Sequence, residues 1–338
     1  MTSGPRKRLG AIGTFVWDVM YGRDARAVPI EEWGGISYAL AGLDAALPDS
    51  WEIVPIIKVG SDLAERARAF LRTLRRSAPD AELVEVPAPN QRVELHYYTE
   101  DRRTEVLHGG VPGWSWLGLK PLLDIARIDA LYVNFLSGWE LDLPTMQLVR
   151  QHFRGPIYCD LHMLVMTVQP DGLRTPAPLP NVASWCGCFD LLQVNEDEMA
   201  MMAPDPMALS ATALAAGVSC LMVTLAKRGA VYFAAPGFTR LADLPPRQGL
   251  ATSPRGGTGA LGPVRTSLIP AERARVEAGG GDPTGCGDVW GATYFSRLLA
   301  GDAVDDAMRA AHHAAARNVE HRGATGLATY LRGELSLR

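Results

Sequence analysis

The sequence predicts an α/β protein with a doubly wound, mainly parallel sheet and a small discontinuous β-sheet lid. Short apolar runs rich in β-branched residues recur along the 338 residues, and segments with helical spacing separate them. Buried parallel strands give such continuous apolar runs, because helices cover both faces of their sheet. A different pattern, in which polar and apolar residues alternate, predicts the lid. We expect one domain over residues 1–338.

Six apolar runs are the predicted strands of the main sheet: 9–12, 53–59, 130–135, 156–159, 191–194 and 218–225. Their lengths are those of ordinary buried strands. Segments with helical spacing lie between them or follow the last: 62–77, 141–153, 196–202, 206–216, 288–300 and a final helix to about Asn318. We expect Gly301 to end one of these helices and Asp302 to cap the next.

The uncharged stretch 207–226 is long enough to cross a bilayer. Gly217 divides it into a run of helix formers and a β-branched run, which predicts a helix, a glycine stop and a buried strand. Residues 248–263 are dense in Gly, Pro, Ser and Thr, which predicts a mobile surface loop.

Two segments predict the lid, at about 14–33 and 91–110. In residues 92–99, apolar Val93, Leu95 and Tyr97 alternate with polar residues, and Glu100-Asp101 then turns the chain into 103–107. This pattern indicates a half-exposed antiparallel hairpin. Segment 14–33 is similarly short and mixed, so we expect it to join the same sheet. The apolar face of the hairpin also suggests a homodimer formed through the lid.

The composition excludes several classes of protein. Lys and Arg number 33 and Asp and Glu 37, a net charge of −4, which gives no general attraction to nucleic acid or to an anionic membrane. Five cysteines in so long a chain do not form a disulfide framework. The basic N-terminus runs into the first strand without an apolar signal core. We therefore expect a cytoplasmic protein.

Residues 279–288 read Gly-Gly-Gly-Asp-Pro-Thr-Gly-Cys-Gly-Asp and lead directly into a predicted helix. Small residues let successive backbone N–H groups point into one concavity, and a helix start adds unsatisfied donors, so such a turn binds phosphate. Asp288 would repel an anion bound there. We interpret it as a base for a neighbouring hydroxyl group. The structural alternative is a glycine-rich turn in which Asp288 is only a helix cap.

Residues 282–288, Asp-Pro-Thr-Gly-Cys-Gly-Asp, resemble the D-T-x-G-A-G-D signature of the ribokinase-like (PfkB) carbohydrate kinases. Four further segments resemble motifs of that family in the same order. They are Gly34-Gly35 with Ala39 and Ala41 (G-G-x-x-x-N-x-A), residues 59–62 (V-G-x-D), 195–198 (N-x-x-E) and 224–229 (T-L-G-x-x-G). The resemblance extends over nearly the whole chain and implies an ATP-dependent kinase with a small-molecule alcohol as acceptor.

The resemblance also implies roles for the matching residues. Asp288 would be the catalytic base, and the backbone amides of Gly285, Cys286 and Gly287 would form an anion hole for the γ-phosphate. The nucleotide would lie along Thr224, Lys227 and Gly229, with Asn318 near the adenine pocket, and the acceptor would face Asp18, Gly34 and Gly35. Asn195 and Glu198 would place Mg²⁺ through water, while Asp282 and Thr284 resemble ligands of a monovalent cation such as K⁺. Independently, Asp160 ends a predicted strand, where doubly wound sheets bind ligands, and His162 follows two residues later.

One departure from the family pattern concerns the acceptor. Ala39 stands where the family has Asn, next to the bulky Tyr38, which predicts a less polar pocket on that side. We expect the acceptor to be a sugar or sugar-like molecule, with nucleoside and inositol kinases as alternatives, and the departure disfavours a simple ribose or fructose kinase. A non-catalytic sensor of nucleotide or sugar is the alternative from another class, although the intact Gly-Cys-Gly-Asp favours an enzyme.

Overall fold

The computed structural model describes residues 5–21, 28–98, 103–245, 263–276 and 281–335. The strands are β1 (Lys7–Ile12), β2 (Phe15–Tyr21), β3 (Ile30–Gly35), β4 (Trp51–Ile56), β5 (Lys58–Gly60), β6 (Val84–Val86), β7 (Gln91–Tyr97), β8 (Arg103–His108), β9 (Ala130–Asn134), β10 (Ile157–Asp160), β11 (Met166–Val168), β12 (Arg174–Pro176), β13 (Leu191–Asn195), β14 (Cys220–Thr224), β15 (Ala230–Ala234) and β16 (Arg265–Ile269). The α-helices are α1 (Ile36–Ala46), α2 (Ala64–Arg72), α3 (Trp116–Ala126), α4 (Leu143–His152), α5 (Val182–Cys186), α6 (Glu196–Ala200), α7 (Pro206–Ala216), α8 (Cys286–Leu299), α9 (Val304–Val319) and α10 (Leu327–Leu331).

The main sheet has the strand order β16-β15-β14-β13-β10-β9-β1-β4. From β14 to β4 the neighbours are parallel, whereas β15 and β16 are antiparallel at one edge. Successive residues of a strand enter different cores on the two faces: Tyr132 of β9 joins one, and Leu131 and Val133 join the other. The predicted α/β class and the parallel sheet are confirmed.

Most predicted elements are confirmed, but three details were wrong. The run 53–59 is not one strand, because β5 leaves the main sheet and pairs with β6. Asp302 does not cap α9, since the N-cap is Ala303 and the Asp302 carboxylate accepts a hydrogen bond from Arg297 Nε at 2.7 Å. Third, several elements were not predicted, namely helices α1, α3, α5 and α10 and strands β6, β11, β12, β15 and β16.

The uncharged stretch 207–226 has the predicted structure. Helix α7 ends at Gly217, which adopts a left-handed conformation with φ of 103°, and β14 follows. In the part of the chain that the structure describes, every helix is too short or too polar to cross a bilayer.

The predicted lid is a four-stranded sheet in the order β3-β2-β7-β8. Strand β2 pairs antiparallel with β3 and parallel with β7, and β7 forms the expected hairpin with β8. Val93 and Leu95 are each 2% exposed and pack with Val16 and Leu107. Two of the three apolar residues that suggested a homodimer are therefore already buried within one chain, and the homodimer stays a prediction. The turn at 100–101 and the loop 248–262 lie outside the described residues.

Asn90 connects the lid to the body of the protein. Its side chain is fully buried, accepts a hydrogen bond from the Gly60 amide at 3.0 Å and donates to the Phe15 carbonyl at 2.9 Å. Its own amide donates to Asp62 Oδ1 at 2.8 Å. Gly60 and Asp62 belong to the segment that resembles V-G-x-D, which therefore has a structural role at the base of the lid.

Candidate active site

A cleft of about 220 Å³ lies between the lid and the carboxyl ends of the central parallel strands. Most of the predicted site residues line it: Asp18, Gly35, Asp160, Asn195, Glu198, Thr224, Thr284, Gly285, Cys286, Gly287 and Asp288. The structure thus brings together residues that are distant in the sequence. Gly34, Lys227, Gly229, Asp282 and Asn318 are not among the lining residues.

Residues 282–288, which we call the anion turn, form a tight bend before α8. Asp282 Oδ1 accepts a hydrogen bond from the Thr284 amide at 2.9 Å, and the Cys286 amide donates to the Pro283 carbonyl at 3.1 Å. Gly285 is left-handed, with φ of 75°. Because the Cys286 amide closes the bend, the prediction that it binds the anion was wrong.

Two amides of the anion turn fit the predicted anion hole. Those of Gly285 and Gly287 have no acceptor within hydrogen-bond distance among the described residues, and both lie at the N-terminal end of α8. The positive end of the helix dipole adds to their attraction for an anion. The expected monovalent cation at Asp282 and Thr284 stays a prediction.

Asp288 lies in the first turn of α8 and faces the cleft. Its Oδ1 accepts a hydrogen bond from Asn134 Nδ2, at the end of β9, at 2.6 Å. Burial raises the pKa of Asp288, and the positive charge of His162 and the Asn134 bond offset only part of that rise. The carboxyl group is thus oriented, partly desolvated and able to accept a proton.

His162 lies among three carboxyl groups, those of Asp160, Glu198 and Asp288. Its Nδ1 is 3.1 Å from Glu198 Oε1. Burial lowers the pKa of His162, but the three carboxylates outweigh this effect and raise it to about 10. Its backbone has a φ of 37°, a left-handed value that is uncommon outside glycine and often marks functional positions. Its place after β10 was noted in the sequence, but no role was assigned to it.

Asp160 is the second carboxyl group at this edge of the sheet. Burial raises the pKa of Asp160 well above its ordinary value, and the negative charge of Glu198 adds to the rise. Gln193 Nε2 donates to Asp160 Oδ2 at 3.0 Å and to the Gly287 carbonyl at 3.1 Å. Gln193, which sequence reasoning missed, therefore links the strand ends to the anion turn.

Asn195 and Glu198 form a capping box at the start of α6. Asn195 Oδ1 accepts from the Glu198 amide at 2.8 Å, and Glu198 Oε2 accepts from the Asn195 amide at 2.9 Å. Asn195 Nδ2 also donates to Glu198 Oε1 at 2.6 Å. The segment that resembles N-x-x-E therefore has a structural role of its own, because its side chains accept hydrogen bonds from the free backbone amides at the start of the helix.

Carboxylates at the cleft are the hard oxygen ligands that Mg²⁺ prefers. Both oxygens of Glu198 are already hydrogen-bonded, and the described residues contain no group of three or more His, Cys, Asp or Glu side chains placed to hold a metal. These residues fit a hydrated Mg²⁺ that arrives with phosphates and contacts Glu198 through water. They do not fit an ion held by the protein alone.

Asn318 has a structural role that the resemblance did not imply. Its side chain is 1% exposed, and its Nδ2 donates to the Thr284 carbonyl at 2.8 Å and to Cys286 Sγ at 3.2 Å. Its predicted place near the adenine pocket stays a prediction. Asn318 fixes the anion turn to α9.

The other residues predicted to contact the nucleotide lie at the ends of β14 and β15. Thr224 lines the cleft, and Lys227 is exposed nearby. Gly229 has φ of 110°, and a Cβ there would lie 2.1 Å from the Ile269 carbonyl oxygen. The glycine therefore permits the close approach of two backbone segments.

The part of the cleft predicted to hold the acceptor, which we call the acceptor end, lies under the lid. Asp18 of β2 is 7% exposed and lines it. A Cβ on Gly34 would lie 1.9 Å from Asp18 Oδ2. Gly34 therefore makes room for the Asp18 carboxylate, while Gly35 lines the cleft itself.

An ion pair at the same end was missed in the sequence. Arg174 of β12 is 3.2 Å from Glu105 of β8, and it donates to the Leu136 carbonyl at 3.0 Å. Both charged residues line the cleft. Neither lies in a motif, and only the folded chain brings them together across 69 positions.

No protein-family model matches this sequence, and neither does any curated protein. Solved structures are similar over nearly the whole chain. A ribokinase from Thermotoga maritima has a TM-score of 0.68 at 13% identity, over 97% of this chain and 99% of that one. The chain has a ribokinase-like fold.

Two further structures with the ribokinase-like fold carry small molecules. A nucleoside kinase from Burkholderia thailandensis in complex with inosine has a TM-score of 0.63 at 16% identity, over 97% of this chain and 95% of that one. A ribokinase from Arabidopsis thaliana complexed with ribose and ATP has a TM-score of 0.63 at 14% identity, over 98% and 99%. At these identities the likeness establishes the ribokinase-like fold, and the chemistry is argued from the site.

Proposed function

We propose that the protein is a kinase that transfers the γ-phosphoryl group of ATP to an alcohol group of a sugar or sugar-like small molecule. The observation that carries the proposal is the placement of Asp288. Its carboxyl group lies in the first turn of α8, in the same cleft as the two available amides of the anion turn. An anion site beside a base is the arrangement that phosphoryl transfer to an alcohol requires.

In the proposed reaction, Asp288 takes the proton of the acceptor hydroxyl group. The hydroxyl oxygen forms a bond to the γ-phosphorus while the bond from that phosphorus to the bridging β–γ oxygen breaks, and ADP leaves. The Gly285 and Gly287 amides stabilise negative charge on the moving phosphoryl group. His162, protonated at neutral pH, adds a positive charge to the same part of the cleft.

Mg²⁺ would accompany the donor phosphates and neutralise part of their charge. On the protein side, Glu198 would orient a water of the ion, and the Asn195 bonds fix the orientation of Glu198. The lid covers the acceptor with Val16, Val93 and Leu95, whose apolar side chains exclude water from the reacting groups.

The same apolar side chains favour nucleosides and cyclic polyols as acceptors alongside simple sugars. The flat or weakly polar face of such a molecule can pack against these side chains. Inosine in the nucleoside kinase complex is one example of such a molecule. The second candidate function, a non-catalytic sensor, has no need for the oriented base at Asp288.

The test is acceptor-dependent release of ADP. The purified protein would be given ATP and Mg²⁺ with D-ribose, D-fructose, inosine or myo-inositol, and the phosphorylated product identified by mass spectrometry. In a parallel series of assays, pyrophosphate would replace ATP as the phosphoryl donor. We expect turnover with at least one acceptor and ATP. ATP binding by calorimetry without turnover in any mixture would instead favour the sensor.

A further inference from the structure

Tyr38 connects the acceptor end of the cleft to the anion turn. It lies in the first turn of α1, is 2% exposed and yet lines the cleft. Its ring lies directly against Gly285, since a Cβ there would be 2.2 Å from the ring carbons Cγ and Cδ1. The side chain is therefore fixed by packing.

The Tyr38 hydroxyl group has no hydrogen-bond partner among the described residues. Buried tyrosines elsewhere do have partners: the Tyr294 hydroxyl donates to Cys220 Sγ at 3.7 Å, and the Tyr330 hydroxyl donates to Glu320 at 2.7 Å. A buried hydroxyl group that faces a cavity without a protein partner is available to a ligand.

The chemistry around Tyr38 is complementary to an alcohol. The carboxylates of Asp18 and Asp288 only accept hydrogen bonds, so they serve the hydroxyl protons of a bound molecule but not its oxygen lone pairs. Arg174 already donates to Glu105 and to a carbonyl. Burial raises the pKa of Tyr38, and Asp282 and Asp18 raise it further, so its hydroxyl group remains a donor.

We propose that Tyr38 is a specificity-determining residue whose hydroxyl group donates a hydrogen bond to an oxygen atom of the acceptor. The inference rests on the proposed function. Its neighbour Ala39 is fully buried and carries no polar group, so Tyr38 provides the polar contact from this turn of α1. The acceptor then needs a second oxygen, a hydroxyl or ring ether, beside the alcohol that is phosphorylated.

The test is the substitution Tyr38→Phe, which removes the hydroxyl group and keeps the ring that packs on Gly285. With the best acceptor among D-ribose, D-fructose, inosine and myo-inositol, we expect KM for the acceptor to rise about tenfold. We expect kcat to stay within about twofold and KM for ATP to be unchanged, because the hydroxyl binds the acceptor equally before and during the reaction.

Tyr330→Phe is the matched control, because it also removes a buried hydroxyl group but one bonded to Glu320 and absent from the cleft. We expect this variant to keep the acceptor KM of the wild type. If Tyr38→Phe leaves the acceptor KM unchanged in an active enzyme, or lowers kcat alone, the inference is overturned and the proposed function stands. If the wild type phosphorylates none of the four compounds, both fail.

Discussion

The two ends of the cleft are built in different ways. The anion turn is made of the backbone of seven consecutive residues, closed by their own hydrogen bonds and continued by a helix. The acceptor end is made of side chains from separate elements, such as Asp18 on β2, Tyr38 on α1 and Arg174 on β12. The geometry of a site made of backbone depends on small residues at a set spacing in one segment. The geometry of a site made of side chains depends on how the fold brings distant segments together.

This difference explains which changes each end tolerates. Pro283 and Cys286 depart from the family signature, yet the bend closes, since the Cys286 amide donates to the Pro283 carbonyl. At the acceptor end, the exchange of a single lining side chain such as Tyr38 changes the surface that meets the acceptor. We therefore expect substitutions at the anion turn to lower kcat and those at the acceptor end to change KM.

The largest effect is expected for Asp288→Asn. The amide keeps the shape of the side chain but cannot take the proton, so kcat should fall about 10²–10⁴-fold, or roughly 3–5 kcal/mol in barrier height. Affinity for ATP, measured by calorimetry, should stay close to that of the wild type. Unchanged turnover would remove Asp288 from the mechanism.

Gly285→Ala should have the next largest effect. The new Cβ would enter the ring of Tyr38, and alanine at a φ of 75° is strained. The turn can relieve both only by moving the amides of the anion hole, so kcat should fall about 100-fold. Gly237→Ala is a control for glycine at positive φ, because nothing lies within 4 Å of its Cβ position. Equal activities of the two variants would contradict the proposed anion hole.

Asn134→Leu should change the pH dependence. Its hydrogen bond favours the ionised form of Asp288, so removing the bond raises the pKa of that carboxyl group further. The ionised base is present above this pKa and lost as the pH falls through it, so the acid limb of kcat/KM should move up by about one pH unit. Activity at pH 9 should largely recover. A uniform loss at every pH would mean that Asn134 only packs.

The smallest effect is expected for Arg174→Met at the acceptor end. Its loss removes the ion pair to Glu105 and the bond to the Leu136 carbonyl, which together connect the lid to the body. KM for the acceptor should rise about fivefold, near 1 kcal/mol, with kcat and the KM for ATP unchanged in steady-state assays. Glu94→Gln, on the same lid sheet as Glu105 but outside the cleft, is the control.

The elements that local sequence patterns determine could be predicted from the sequence. The strands of the parallel sheet are continuous apolar runs, and Asp288 follows a glycine-rich turn at a fixed spacing. Helix α1 was not predicted, because its N-cap residue is Gly35, which has a φ of 58° and provides no side-chain cap. Partners such as Asn134 and Asp288 are 154 positions apart, and nothing in either segment indicates the other.

The side chain of Asn90 has a mechanical consequence for the small sheet. It binds the carbonyl of Phe15 at the start of β2 and directly precedes β7, so one residue secures both strands where they leave the body. Strand β8 is held to the body as well, by the Arg174 ion pair and by the Leu107 amide, which donates to the Gly172 carbonyl at 2.8 Å. The sheet is therefore attached at two separate places, and sliding it across the opening would break hydrogen bonds at both.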